Sequence, residues 1–321
     1  MSSEFALIER YFKRPARRAT LGVGDDCALV GLSAGHELAI STDMLVAGTH
    51  FLPDVNPRTL GHKVLAVNLS DLAAMGAIPR YASLAAALPE ADEAWIAEFA
   101  AGFFALADAH GVELIGGDTT RGPMNFCVTI FGETPMGMAV RRDGTCAGDD
   151  IWVSGTLGGA ALGLAWLRGA ADWLTPAQGR AAQALLETPT PRVPLGVALR
   201  GLASAMLDLS DGIGGDLAHI ANASGLTARL EVDALPVFAA LKSRPPRERR
   251  RFALAGGDDY ELCFTAPKPK RDAVFAAGHA QGLSVVRVGE MLPRRHPSVA
   301  VLQVDSSGET IPEPFSGYQH F

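Results

Sequence analysis

Cysteine is scarce and scattered, with Cys27, Cys127, Cys146 and Cys263 the only four in 321 residues. None forms a CxxC pair and no histidine stands at zinc-finger spacing. That excludes a disulfide framework or zinc ribbon and suits a reducing compartment. No apolar run reaches the roughly 18 residues of a membrane span. The opening stretch MSSEFALIERYFKR sets charges among its apolar residues, so it has no signal-peptide core and a cytoplasmic location is expected. Lysine is rare too, five of 28 basic side chains, and none falls in a GxxxxGK[ST] loop, which removes the commonest cradle for nucleotide phosphates. A formal charge of −7 is not that of a nucleic-acid binder with its basic face. Arg247, Arg249, Arg250 and Arg251, after Pro245 and Pro246, read as a solvated helix face rather than a phosphate clamp.

What is present is an ordinary globular composition, 48% hydrophobic and 20% charged, in a chain longer than the roughly 250 to 300 residues at which single cores stop growing. Two domains are expected. Helical spacing marks residues 4–14, and HELAIST at 36–42 alternates as a short strand. Asn56 and Pro57 open a long helix that Gly76 and Pro79 end. YASLAAAL reads as a buried strand, Asp92 caps a helix over 93–110 ended by Gly111, and VELIGG reads as a strand entering a glycine turn before the strand NFCVTIFGE. The turn-rich segment 136–150 sets the boundary between domains at 1–140 and 149–321. The second half opens with the strand DIWVSG, a glycine turn and a helix to about residue 169. Another helix follows TPTPRVP and leads into AMLDLSDG, with YELCFTA and LSVVRVG as later strands. The NLSD and DLSD tetrapeptides are too short to establish a repeat. The fold class is α/β with α+β elements.

Aspartate is the informative residue. It recurs beside glycine or serine after apolar strand-like runs: Asp25 and Asp26, Asp43, Asp118, and Asp208 with Asp211. Each alone is ordinary turn or cap chemistry. Together they exceed what turns require, and strand ends are where α/β proteins gather ligand sites. Carboxylates converging on one cleft repel unless protonated or bridged by Mg²⁺, which takes carboxylate and hydroxyl oxygens and bridges phosphates. Ser41, Thr42 and Asp43 offer two hydroxyls and a carboxylate in sequence. Asp71 lies in an apolar helical stretch, so either it has a partner or Ser70 or Asp71 caps a second short helix. His50 follows a glycine turn, where a lone histidine is most often at the surface. GGDDYELCF repeats the glycine-glycine-acid arrangement of GGD at 116–118; it is a turn by composition and a cleft lining by position.

The motifs GVGDDCALV, AISTDMLVAGTHF, AVNLSDLAAMGAIP, LIGGDTTRGP, DLSDGIGGDLAHI, GGDDYELCF and the terminal GYQHF resemble the thiamine-monophosphate kinase family of the aminoimidazole ribonucleotide synthetase-like superfamily, in that family's order. The resemblance implies transfer of the γ-phosphoryl of ATP to thiamine monophosphate with several Mg²⁺ ions. It implies a two-domain fold whose N-terminal sheet pairs with its copy in a homodimer. It places Asp26, Ser41, Thr42, Asp43, Asp71, Asp118, Asp208 and Asp211 at metal positions. Gly117, Asp118, Arg142 and Ser210 fall at nucleotide positions, and His50, Asp258 and Phe315 at thiamine-phosphate positions. The family commonly has glutamate at 258 and tryptophan at 315, so this chain keeps a shorter carboxylate and a smaller ring. At the family's adenine-stacking position, near Ala100 or Ala101, no aromatic residue can be placed, and Phe103 or Phe104 is the candidate substitute.

For that reaction the physical problem is bringing two anions together. The acceptor oxygen is already ionised near neutral pH, so the aspartates are expected as metal ligands rather than general bases, with catalysis from in-line positioning and charge stabilisation. ATP and thiamine monophosphate are the expected partners, with no nucleic acid and no membrane. The competing readings are another ATP-using enzyme of the superfamily and a binding regulator without catalysis. The first is opposed by the lack of a cysteine before Cys27 and at the C-terminus.

Overall fold

The computed structural model describes residues 4–296, 299–311, 315, 317 and 318. The chain divides into two compact units, Met1–Leu72 with Ala77–Gly137, and Ala73–Gly76 with Met138–Phe321. Both mix helices with a sheet, as expected of the α/β class. Among the described residues no helix is long and apolar enough to cross a membrane.

In the first unit a short helix α1 (Glu4–Leu7) runs into a π-helical turn, followed by β1 (His36–Val46), α2 (Pro57–Ala74), β2 (Ile78–Leu88), α3 (Glu93–His110), β3 (Glu113–Arg121) and β4 (Asn125–Pro135). The strand order is β1-β4-β2-β3, parallel only between β2 and β3. Helix α3 begins where Asp92 accepts the N–H groups of Ala94 and Trp95, and stops at Gly111, whose φ of 64° is left-handed. Helices α2 and α3 touch backbone to backbone: a Cβ on Gly102 would lie 1.8 Å from the Arg58 carbonyl oxygen. The core lies against one sheet face, where Phe126, Val128 and Ile130 of β4 are buried, as are Leu65, Leu69, Phe99 and Phe103 of the helices. Trp95, Phe99 and Phe126 stack there.

The other face is open, and β1 puts its large apolar side chains on it. Leu38, Ile40 and Met44 are 43%, 57% and 54% exposed. They share that face with Glu133, Phe131 and Cys127 across the β1–β4 register. Two strand expectations change. The strand begun by HELAIST continues to Val46. The glycines of VELIGG make no turn, since β3 runs through them to Arg121. At Gly117, φ is 147° and a Cβ would lie 1.8 Å from the Leu84 carbonyl oxygen, so the missing side chain lets β3 stay paired with β2.

The second unit contains β5 (Asp150–Ser154), α4 (Gly159–Leu167), α5 (Pro176–Glu187), α6 (Val193–Ala198), β6 (Ala205–Asp208), α7 (Ile213–Ala223), β7 (Leu226–Glu231), α8 (Pro246–Ala255), β8 (Leu262–Ala266), α9 (Arg271–Ala280), β9 (Val285–Pro293) and β10 (Val301–Val304). Its sheet has the order β10-β7-β9-β5-β8-β6. Ile151, Val153, Leu207, Leu217, Leu230 and Cys263 are buried in its core. Helix α5 was not expected; its start is a capping box between Thr175 and Gln178 with proline in the first turn. The arginine cluster lies on α8, where Arg250 pairs with Asp233 at 2.6 Å.

Candidate functional site

Strand alternation sorts the Ser41, Thr42, Asp43 tripeptide onto two faces. Thr42 Oγ1 shares a hydrogen bond with Thr129 Oγ1 at 2.9 Å on the open face. Ser41 and Asp43 face helix α2, where Ser41 Oγ donates to Asp71 Oδ2 at 2.5 Å. The buried Asn68 lies one turn before Asp71; its Oδ1 accepts the Asp43 N–H at 3.1 Å while its Nδ2 donates to the Val64 carbonyl. Helix α2 is continuous through Asp71. The reading of Ser70 or Asp71 as a second helix cap is therefore wrong, and the expected partner is Ser41. The three side chains of the tripeptide do not point together, so Thr42 can join Ser41 and Asp43 at one ion only through its backbone oxygen.

His50 is half-buried rather than a loose surface histidine. Its Nδ1 accepts the Val46 N–H at 3.0 Å and its carbonyl accepts from Lys63 Nζ at 3.3 Å. Because Nδ1 is an acceptor there, the neutral ring carries its proton on Nε2.

A cavity of about 770 Å³ gathers Asp25, Asp26, Gly117 and Asp118 with Ser83 and Phe131. Asp118 is level with Ala85, Cys127 and Met44 across the sheet. It therefore projects from the open face, opposite to Asp43. The expected single cluster is corrected here: this unit brings Asp26 and Asp118 to one cavity, and Ser41, Asp43 and Asp71 to the α2 side. Among the described residues, no three His, Cys, Asp or Glu side chains come close enough to hold a metal by themselves. The aromatic substitutes for base stacking are also corrected. Phe103 is fully buried, and the Phe104 ring is covered by the Arg14 guanidinium, 3.6 Å from its centroid.

In the second unit, β6 ends at the buried Asp208 and the loop Leu209–Gly212 leads into α7. Sequence reasoning missed Asp216 in the first turn of α7. Its Oδ2 accepts the N–H groups of Asp211 and Gly212, both at 3.1 Å. Burial pushes this carboxyl up to about 7, the Asp211 charge adding to it and the backbone N–H groups opposing. The signal was an acid in the first turn of a helix preceded by glycine and lacking a capping side chain. The segment 256–260 is laced onto the same loop, since the Asp258 N–H donates to the Ser210 carbonyl and the Tyr260 N–H to the Leu209 carbonyl, each at 2.8 Å.

The Tyr318 N–H donates to the Asp211 carbonyl at 2.9 Å, and the Phe315 backbone is bracketed by Gln303 through bonds of 3.1 and 2.7 Å. The Phe315 ring is half-buried against the unit's core. Asp208, Ser210, Asp211, Asp258 and Phe315 thus come together. The Arg142 side chain is exposed, with its carbonyl accepting from Ser224 Oγ at 3.1 Å. Of the terminal GYQHF, residues 319–321 lie outside the described residues.

Comparison with known proteins adds family relationships. Residues 24–134 match the AIR synthase related protein, N-terminal domain, and residues 147–302 match its C-terminal domain. The thiamine-monophosphate kinase of Salmonella typhimurium (strain LT2) is 46% identical over 326 aligned residues, covering 99% of this chain and 98% of the relative. The crystal structure of thiamine-monophosphate kinase from Stenotrophomonas maltophilia K279a matches with a TM-score of 0.85 at 45% identity, over 96% of this chain and 98% of that one. AaThiL complexed with AMPPCP and TMP matches with a TM-score of 0.78 at 28% identity, over 91% and 89%.

Proposed function

The chain belongs to the thiamine-monophosphate kinases of the AIR synthase related family and is an ATP-dependent phosphotransferase acting on thiamine monophosphate; we propose that it transfers the phosphoryl group directly and in line, assisted by several Mg²⁺ ions. The observation that carries this reading is the convergence in the second unit, where the loop after Asp208 accepts the backbone N–H groups of Asp258, Tyr260 and Tyr318.

The residues present suit Mg²⁺. Ser41 Oγ and Asp71 Oδ2 are hard oxygen donors held 2.5 Å apart. Mg²⁺ keeps several waters and takes one or two carboxylates together with substrate phosphates, so it needs no three-acid cage. Asp26 and Asp118 at the cavity would hold one ion, and Ser41, Asp43 and Asp71 on the α2 side, with the backbone oxygen of Thr42, would hold another; in the second unit Asp208 and Asp211 are the ligands. Bound there, the metal would neutralise phosphate charge. Gly117, Asp118, Arg142 and Ser210 contact the nucleotide, and Arg142 adds a guanidinium to the phosphates. His50, Asp258 and Phe315 receive thiamine monophosphate, with the Asp258 carboxylate and the Phe315 ring facing its cationic heteroaromatic part. No side chain need act as base, because the attacking phosphate oxygen is already ionised.

The open face of the first sheet, with Leu38, Ile40 and Met44 exposed, supports a homodimer formed by that face. Cys27, Cys127, Cys146 and Cys263 are free thiols, which supports a cytoplasmic location.

Incubation with ATP, Mg²⁺ and thiamine monophosphate should yield thiamine diphosphate and ADP. With ATP chiral at the γ-phosphorus, a single in-line displacement inverts configuration. Retention would mean a phosphoenzyme, and binding without product would mean a regulator.

A further inference from the structure

The segment Gly256–Glu261 carries three acids in four residues, and the structure gives each a different task. Asp259 accepts the Gly158 N–H at 2.9 and 3.1 Å, at the start of α4. Glu261 is clamped by Arg192 through bonds of 2.8 and 2.5 Å and accepts from Ser154 Oγ at 2.5 Å. These two acids anchor the segment. Asp258 is bonded within the segment, where Tyr260 Oη donates to Asp258 Oδ1 at 3.0 Å.

This contact needs an unusual backbone. Asp258 and Tyr260 are the non-glycine residues with positive φ among the described residues, at 65° and 48°. Left-handed conformations of non-glycine residues, a bulky aromatic above all, persist only where surrounding structure holds them. Here the Asp258 N–H to Ser210 and Tyr260 N–H to Leu209 bonds do so. An extended backbone would also put residues two apart on one side, but stretched along the strand. The two left-handed residues fold the chain so that the phenol reaches back to the carboxylate. An aspartate side chain has two torsions, and a donor on one oxygen fixes the plane in which the other oxygen lies.

We propose that Tyr260 is a positioning residue for the acceptor substrate: its hydroxyl sets the orientation in which the Asp258 carboxylate meets the cationic heteroaromatic part of thiamine monophosphate. The proposal rests on the reading of Asp258 as a contact of that substrate. Tyr260 itself touches no reacting atom. Its effect belongs to the acceptor's affinity and not to ATP or the transfer step.

Steady-state kinetics of Tyr260→Phe, Asp258→Ala and the double variant test it. Tyr260→Phe removes one oxygen and keeps the ring. It should raise KM for thiamine monophosphate by roughly fivefold to tenfold, with KM for ATP and kcat within about twofold of the parent. Asp258→Ala should raise the same KM at least as far, and adding Tyr260→Phe to it should have no further effect, because the hydroxyl then has nothing to orient. An unchanged KM in Tyr260→Phe beside a raised one in Asp258→Ala overturns the positioning role and leaves the substrate contact standing. So do additive effects in the double variant, or equal rises in both KM values. An unchanged KM in Asp258→Ala overturns the substrate contact, and the positioning role with it. Calorimetric titration of each folded variant with thiamine monophosphate, without ATP, should give the same ranking of affinities. A different ranking overturns the proposal.

Discussion

Ser41 and Asp71 are thirty residues apart in sequence, and their side chains meet at 2.5 Å. The bond ties the edge strand β1 to helix α2 and holds the Asp71 carboxylate on the face that also carries Asp43. A half-buried carboxylate in an apolar helix is tolerable because of this donor, and the same contact keeps the oxygens where a divalent cation would take them.

Asp71→Asn should lower kcat by about 100-fold or more, since it removes a ligand charge, while the amide oxygen still accepts from Ser41 and the fold survives. Ser41→Ala should be milder in activity and destabilise by about 1 kcal/mol. Turnover against Mg²⁺ concentration, with circular dichroism as control, checks both. Parent-like turnover with an unchanged Mg²⁺ requirement in Asp71→Asn contradicts the ligand assignment.

His50→Ala should raise KM for thiamine monophosphate by roughly tenfold and leave KM for ATP alone. Initial-rate measurements with each substrate varied separately decide this. A change confined to ATP would move His50 to the nucleotide.

Asp216 gives the stability a pH dependence of definite sign. Its carboxyl titrates near 3.8 in the unfolded chain and at about 7 in the native one. Between those values the native state holds the extra proton. The contribution is therefore full below the lower value, falls as pH rises towards the upper, and is flat beyond it. Asp216→Asn keeps an acceptor for the Asp211 and Gly212 N–H groups and removes the titration. In urea titrations without Mg²⁺ its profile should be flatter over about pH 5 to 7, and the variant more stable than the parent at about pH 8 by roughly 1 to 3 kcal/mol. Parallel profiles would falsify the assignment.

Gly102→Ala should destabilise by about 3 kcal/mol or more, because the new Cβ would lie 1.8 Å from the Arg58 carbonyl oxygen and two helix backbones must part. Thermal unfolding reads it directly. A loss below about 1 kcal/mol would show that α2 and α3 can separate cheaply.

Helix α3 was legible to the residue because its limits are set by local chemistry, the Asp92 side chain at one end and the left-handed Gly111 at the other. Helix α5 carried an equally local signal in Thr175, Pro176 and Gln178. Four of the six apolar residues in its body are alanine, which marks a buried face only weakly. The glycines 116 and 117 misled for the opposite reason. They look like a turn, and the approach of the Leu84 carbonyl that makes them necessary comes from a strand more than thirty residues away.

From the order of its residues alone, the chain's class, most of its helices and strands, and the list of acids worth watching could be read, since propensity, capping and periodicity act over a few neighbours. Which side of each strand is covered could not. Alternation separates Ser41 and Asp43 from Thr42, but the packing of α2 makes the first pair the inward one. Asp118 faces away from Asp43 because the register across three pairings sets Asp43 level with Gly117, one residue before Asp118. The role of Asp216 and the hold of Tyr260 on Asp258 likewise arose only on folding, because each depends on a hydrogen bond that exists once the backbone has turned back on itself.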